Sequence, residues 1–291
     1  IWWSLPIGLL VLVLLASLTI SYQQVIHAYP KGGGAYIVSN ENLSPSMGLL
    51  AGGSLLIDYM LTVAVSVSSG ADAITSAFPA FKNFNLEIAI ALVLLLMLMN
   101  LRGLRESARS LMVPVYLFII STMFLIVYGA FQIVTGQLPY HATAHVGAVV
   151  PGVSIILLLR AFTSGSASLT GVEAISNAVP FFKKPKENNA AGTLAIMSLI
   201  LGIMFAGITF LNYWLGILPN AHVTVLAQIA KEIFGDSLVG NALFYVFQLS
   251  TALILAVAAN TGFSAFPMLS FNMAQNKYMP HLFMEKGARL G

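Results

Sequence analysis

Seven long apolar runs constrain this chain more than any other feature. They lie at about residues 5–27, 47–78, 86–101, 111–135, 154–180, 192–218 and 240–275. A membrane helix needs about 17–25 apolar residues, so all but the short third run clearly qualify. None of the runs has the two-residue alternation of a barrel strand, so they read as helices. The residues between them are too few in charge to coat a soluble domain. Only 8% of the chain is charged and 58% is hydrophobic, against about 25% charged in a typical soluble domain. The fold class is therefore an all-α, multi-pass integral membrane protein with about seven transmembrane helices. Cysteine is absent, which excludes disulfides and thiolate metal sites.

The basic residues set an orientation. The loops after runs one, three, five and seven carry Lys31; Arg102, Arg105 and Arg109; Lys183, Lys184 and Lys186; and Lys277, Lys286 and Arg289. Those are ten of the 13 Lys and Arg residues. The opposite loops hold Lys82 and Lys231, and Arg160 lies near the start of run five. The positive-inside rule makes the basic side cytoplasmic. Trp2 and Trp3 then fall at the outer interface, where indoles form an aromatic belt.

Two outer connections differ in character. Within 219–239, "VTVLAQIAKEIFG" places apolar residues at helical spacing, which predicts a short amphipathic helix over the outer surface. The connection 136–153, with Pro139, His141, His145 and Pro151, has no period and reads as loop. Its two histidines have no further ligand nearby in sequence, which argues against a metal site.

The second run contains one acid near its middle, Asp58 in "LLIDYMLTVAVSVSSG". It lies about eleven residues in, or roughly 16 Å along a helix, close to the bilayer midplane. Asp58, Thr62, Ser66, Ser69 and Asp72 fall within a stripe of roughly 120° on a helical projection. Ser69 and neighbouring Gly70 suit helix packing. An acid at mid-depth needs a partner, a proton or a cation, so the stripe is expected to face protein or water.

A second anomaly lies in run five. Residues 163–171 read "TSGSASLTG", with Glu173 just beyond. Glycine and serine hold a continuous helix poorly. A loss of regular helix is expected within 163–172. Irregular backbone at membrane depth is tolerated where it lines a cavity or is buried, and transporters use it to expose carbonyl oxygens to cations. Two segments thus each bring an acid with hydroxyls beside it. Oxygen ligands suit hard cations, and intramembrane acids suit proton relay. Asp58, Thr62 and Ser66 are expected to face the broken segment near Thr170. If the helix continued there, Thr170 and Glu173 would share one face at i, i+3.

Several separated stretches resemble one family. "YPKGGGAYIVSNENLSPSMGLLAG" (29–52), "SLTGVEAISNAVPFFKKPKENNAAGT" (168–193) and "NTGFSAFPMLSFNMAQNKYMPHLF" (260–283) resemble loops and helices of amino acid–polyamine–organocation (APC) transporters. The resemblance implies the LeuT-type fold of two inverted five-helix repeats. The chain would hold helices two to eight, with 1–153 from the first repeat and 154–291 starting the second. No start methionine or signal peptide is visible, so the chain reads as an excerpt. Within the superfamily, "IDYMLTVAVSVSSGADAITSAFP" and "LTGVEAISNAVPFF" look most like KimA-type potassium–proton symporters. That likeness implies potassium sites at Asp58, Tyr59, Thr62, Ser66, Thr170 and Glu173. Further family ligands on helices one and ten fall outside the sequence.

The resemblance leaves three readings: proton-coupled potassium uptake, an amino-acid permease of the same fold, and a non-transporting receptor or scaffold. None is an enzyme. No cofactor is expected beyond the transported potassium and protons. Expected partners are the lipid bilayer, potassium or amino acids, and a second copy in a homodimer, without nucleic acid. The plasma membrane is the expected location. Gly32–Gly34 lack the Gly-Lys-Ser/Thr pattern and preceding strand of a phosphate loop and read as a tight turn. Gln248, Ser250, Thr251, Asn260 and Thr261 suit either an ion path or hydrogen bonds between helices. The tetrapeptide "SAFP" occurs at 76–79 and 264–267, a weak repeat at related positions of the implied fold.

Overall fold

The structure is a computed structural model that describes residues 3–30, 32, 34–101, 108–140, 154–220 and 223–284. Those residues form α1 (Ser4–Ala28), α2 (Ala35–Asn42), α3 (Pro45–Ala77), α4 (Asn85–Leu101), α5 (Ala108–Val134), α6 (Ile155–Ser166), α7 (Ala174–Ala178), α8 (Lys186–Leu215), α9 (Val225–Phe234) and α10 (Leu238–Gln275). No strand occurs among them. Seven stretches are long and apolar enough to cross a membrane: Ser4–Ala28, Pro45–Ala77, Pro79–Leu101, Met112–Val134, Ile155–Phe181, Lys186–Leu215 and Leu238–Gln275. The short third run is completed by a 3₁₀ turn, Pro79–Phe84, that leads into α4. Proline opens that turn because its missing N–H would be unpaired there in any case. The protein is a multi-pass integral membrane protein.

Polar residues mark the helix starts that are not apolar. Ser154, Thr224 and Ser237 cap α6, α9 and α10 by accepting from Ile156, Ala227 and Gly240 N–H groups, which satisfies backbone donors that begin each helix. The predicted amphipathic helix is α9. It buries Ala227, Ile229, Ala230, Ile233 and Phe234 and packs against α10. The Thr224 amide also donates to Ser76 Oγ at 3.1 Å, tying its start to the end of α3. Residues 141–153, with His141, His145 and Pro151, lie outside the described residues, as do Trp2, Lys31, Arg102, Arg105, Lys286 and Arg289.

The chain divides into two compact units. One comprises 1–51 and 130–217, the other 52–129 and 218–291. In the first, α1 lies along α8 and also meets α6 and α7. Its core gathers Val11, Leu15 and Ile26 of α1, Leu169, Val172 and Val179 around the broken segment, and Ala190 and Leu194 of α8. In the second, Val67 of α3, Leu96 of α4 and Ala259 of α10 form one buried cluster. Phe234 of α9 stacks with Phe124 of α5 and meets Phe247 of α10 edge-on.

Candidate functional site

The six residues singled out by sequence fall into two clusters. Asp58, Tyr59, Thr62 and Ser66 belong to the second unit, Thr170 and Glu173 to the first.

In the first cluster, α3 runs unbroken through all four residues. Ser66 is buried, and Asp58, Tyr59 and Thr62 are half-buried. Ile57, Met60, Leu61 and Val65 on the same turns are more than half exposed, as suits a lipid-facing surface. Val65 projects within the angular range of the stripe itself, so of the four residues Ser66 alone is fully withdrawn from that surface and Asp58, Tyr59 and Thr62 are withdrawn in part. What fixes this turn is α10. A Cβ at Gly262 would lie 2.5 Å from Val63 Cγ2 and 3.0 Å from the Tyr59 carbonyl oxygen. Only glycine lets the two backbones meet this closely. At the far end of the stripe Asp72 is exposed and accepts from Asn85 Nδ2 at 2.7 Å, so its carboxylate is held by a polar neighbour.

The second cluster sits on the broken segment. After α6 come a 3₁₀ turn, Ala167–Leu169, and non-helical residues 170–173, before the short α7. Thr170 is extended, with φ −59° and ψ 145°, and Gly171 takes φ +91°. Side chains rarely adopt that second conformation, which glycine reaches without a Cβ clash. The loss of helix expected within 163–172 is therefore present. The i, i+3 relation between Thr170 and Glu173 is not: extended backbone at Thr170 takes the two residues off a common helical face. Thr170 is exposed and Glu173 half-buried. The Glu173 carboxyl accepts from Tyr22 Oη of α1 at 3.1 Å. Its backbone carbonyl accepts from Ser176 Oγ at 2.7 Å, which helps restart the helix.

The rest of this segment is stapled on the side carrying the lysines. Gly34 lies directly against the Asn177 side chain, where a Cβ would overlap its amide. Gly32 and Gly34 thus pack closely against Asn177 of α7. Lys186 Nζ donates to the Pro180 carbonyl at 2.6 Å, so one residue of the basic cluster also joins α8 to the end of the break.

All five polar residues singled out on α10 make local or interhelical hydrogen bonds. Gln248 donates to the Ala73 carbonyl, Ser250 pairs with Ser121 at 3.0 Å, and Asn260 accepts from Asn100 at 2.8 Å. Thr251 bonds to the carbonyl of Phe247 in its own helix, as Thr261 does to that of Ala258. Sequence reasoning missed Tyr22 and Asn100. Each is an ordinary residue in an apolar run, and each has its partner 151 or 160 positions away.

Chemically, each cluster brings one carboxyl and hydroxyl-bearing residues into the same stretch of chain, the type of oxygen ligand that hard cations take. The pattern of the amino acid permease family matches residues 1–289. The chain is 56% identical to the potassium transporter KimA of Bacillus subtilis (strain 168) over 292 residues, all of this chain and 47% of that protein. It is 24% identical to the low-affinity putrescine importer PlaP of Escherichia coli (strain K12) over 200 residues, 66% of this chain and 42% of that one. The chain thus spans about half the length of the curated relatives it matches.

Proposed function

The chain belongs to the amino acid permease family of the APC superfamily, and we propose that the protein it represents carries potassium inward across the plasma membrane, coupled to protons. The observation that carries this reading is the 56% identity to a potassium transporter along the whole chain. The residues support it. Asp58, Tyr59, Thr62 and Ser66 supply one set of oxygen ligands, and Thr170 and Glu173 supply the other. Glu173 carries the coupled charge. A carboxylate can hold a proton or neighbour a cation, and each opposes the other. Exchange between them is what coupling needs. The half-buried position of Glu173 beside irregular backbone suits that exchange. No covalent chemistry is involved.

The test is uptake by the full-length protein in proteoliposomes, with potassium, putrescine and a panel of amino acids offered separately under an imposed proton gradient. Potassium uptake driven by the gradient is expected. Amino-acid or putrescine uptake without potassium uptake would replace this reading with a permease. Glu173→Gln keeps the side-chain shape and removes its charge. It is expected to abolish gradient-driven potassium uptake while the protein still inserts and folds. Wild-type uptake with an unchanged pH profile would remove Glu173 from the mechanism.

A further inference from the structure

The acid at the break is held from the neighbouring helix. Tyr22 of α1 donates its hydroxyl to Glu173 Oε2 at 3.1 Å across 151 residues of sequence. Its side chain is one of the partly buried groups that pack against the apolar core of this unit, with Leu18 of the same helix and Ile175 of α7. Tyr22 thus carries its hydroxyl from this apolar packing to the carboxyl at the break. Glu173 itself stands outside regular helix, at the residue before α7. Its carboxyl is therefore not aligned by a helical turn on both sides.

A phenol can donate to a carboxylate and can accept from a carboxylic acid. Tyr22 can thus keep its bond to Glu173 whether that group is charged or protonated. We propose that Tyr22 is a positioning residue, holding the Glu173 carboxyl in the orientation from which it meets the transported cation. This rests on the assignment of Glu173 made above. It adds to it a residue on a different helix that acts on the ion only through the Glu173 carboxyl. The ring fixes the hydroxyl, the hydroxyl fixes the carboxyl, and the carboxyl faces the ion without a search over rotamers.

The experiment compares wild type, Tyr22→Phe and Glu173→Gln, all full-length, for potassium KM and Vmax of uptake into proteoliposomes. Thermal unfolding without potassium is measured alongside. Tyr22→Phe keeps the packed ring and loses only the hydroxyl. It is expected to raise the potassium KM about three- to tenfold, the scale of one hydrogen bond, with Vmax within about twofold and unfolding unchanged. A wild-type KM in Tyr22→Phe overturns the proposal. So does a raised KM that comes with an equally lowered unfolding temperature, because that marks a packing role. Tyr22→Leu removes the ring as well and is expected to lower the unfolding temperature. If Leu and Phe change KM equally while only Leu loses stability, the hydroxyl is the cause. If Glu173→Gln transports normally, the assignment of Glu173 fails. If it is inactive and Tyr22→Phe is normal, only the role of Tyr22 fails.

Discussion

Gly262→Ala tests how the cluster on α3 is held. The added Cβ would lie 2.5 Å from Val63 Cγ2 and 3.0 Å from the Tyr59 carbonyl oxygen, where ordinary contact starts at 3.4 Å. The methyl contact is therefore about 0.9 Å too short and the carbonyl contact about 0.4 Å too short. Val63 has little freedom to turn away, because a β-branched side chain in a helix has one strongly preferred rotamer. The Tyr59 carbonyl is backbone inside α3 and cannot swing aside without loss of a helical hydrogen bond. The two helices must separate, and overpacking of this kind costs about 1–3 kcal/mol. The shift falls on the turn that carries Asp58, Tyr59 and Thr62. We expect a lower unfolding temperature for the full-length protein in detergent and a weaker stabilisation by added potassium. Gly53→Ala is the control. Gly53 lies on α3, the helix that carries the cluster, and a Cβ there meets nothing within 4 Å. Alanine's better helix propensity should leave it neutral or up to about 1 kcal/mol more stable. Equal stability and equal potassium response in Gly262→Ala and wild type would refute the argument that this contact sets the position of the cluster.

Three further outcomes follow from particular residues. Gly171→Ala has open space for its methyl group, so its cost comes from the φ of +91° alone. About 1–2 kcal/mol of destabilisation is expected in thermal unfolding, and no loss would mean that the break does not need this conformation. Asp58→Asn keeps the shape of the side chain and removes its charge, and it is expected to lower potassium uptake at least about tenfold, the effect of about 1.4 kcal/mol. Wild-type rubidium or potassium flux in that variant would exclude Asp58 as a ligand. Asn100→Ala removes the bond to Asn260, and bonds between membrane helices average about 0.6 kcal/mol. A small stability loss with uptake retained is expected, whereas loss of uptake in a stable protein would return Asn260 to the ion path.

Much of the architecture was legible along the chain because the bilayer is a harsh solvent. A backbone group in hydrocarbon has to be paired within its own segment, so apolar run length alone located the spans and left only the 3₁₀ entry of the third to be added. The break was legible for the same reason. "TSGSASLTG" weakens helix locally, and its consequence, a turn with Gly171 at positive φ, is local too. The amphipathic α9 announced itself by period.

What pairs with what was not legible. The sequence placed Thr170 and Glu173 on one helical face, and the extended backbone at Thr170 undid that. Tyr22 and Glu173 carry no mark of each other, since their meeting depends on how α1 lies against the broken segment. The two "SAFP" tetrapeptides make the point most directly. At Ser76–Pro79 the helix stops, Phe78 leaves helical backbone and Pro79 opens a 3₁₀ turn. At Ser264–Pro267 the same four letters lie inside α10, and the helix continues to Gln275. Proline inside a helix removes one hydrogen bond and crowds the preceding turn, which is the case at Pro267 but not at Pro79, where the missing N–H has no helical partner to lose. Whether the helix ends or continues goes with the flanking residues: Met268 and Leu269 follow Pro267, while Lys82, Asn83 and Asn85 follow closely on Pro79, between two spans. The packing around each helix then satisfies or exposes the freed carbonyl, a decision that only the tertiary structure can make.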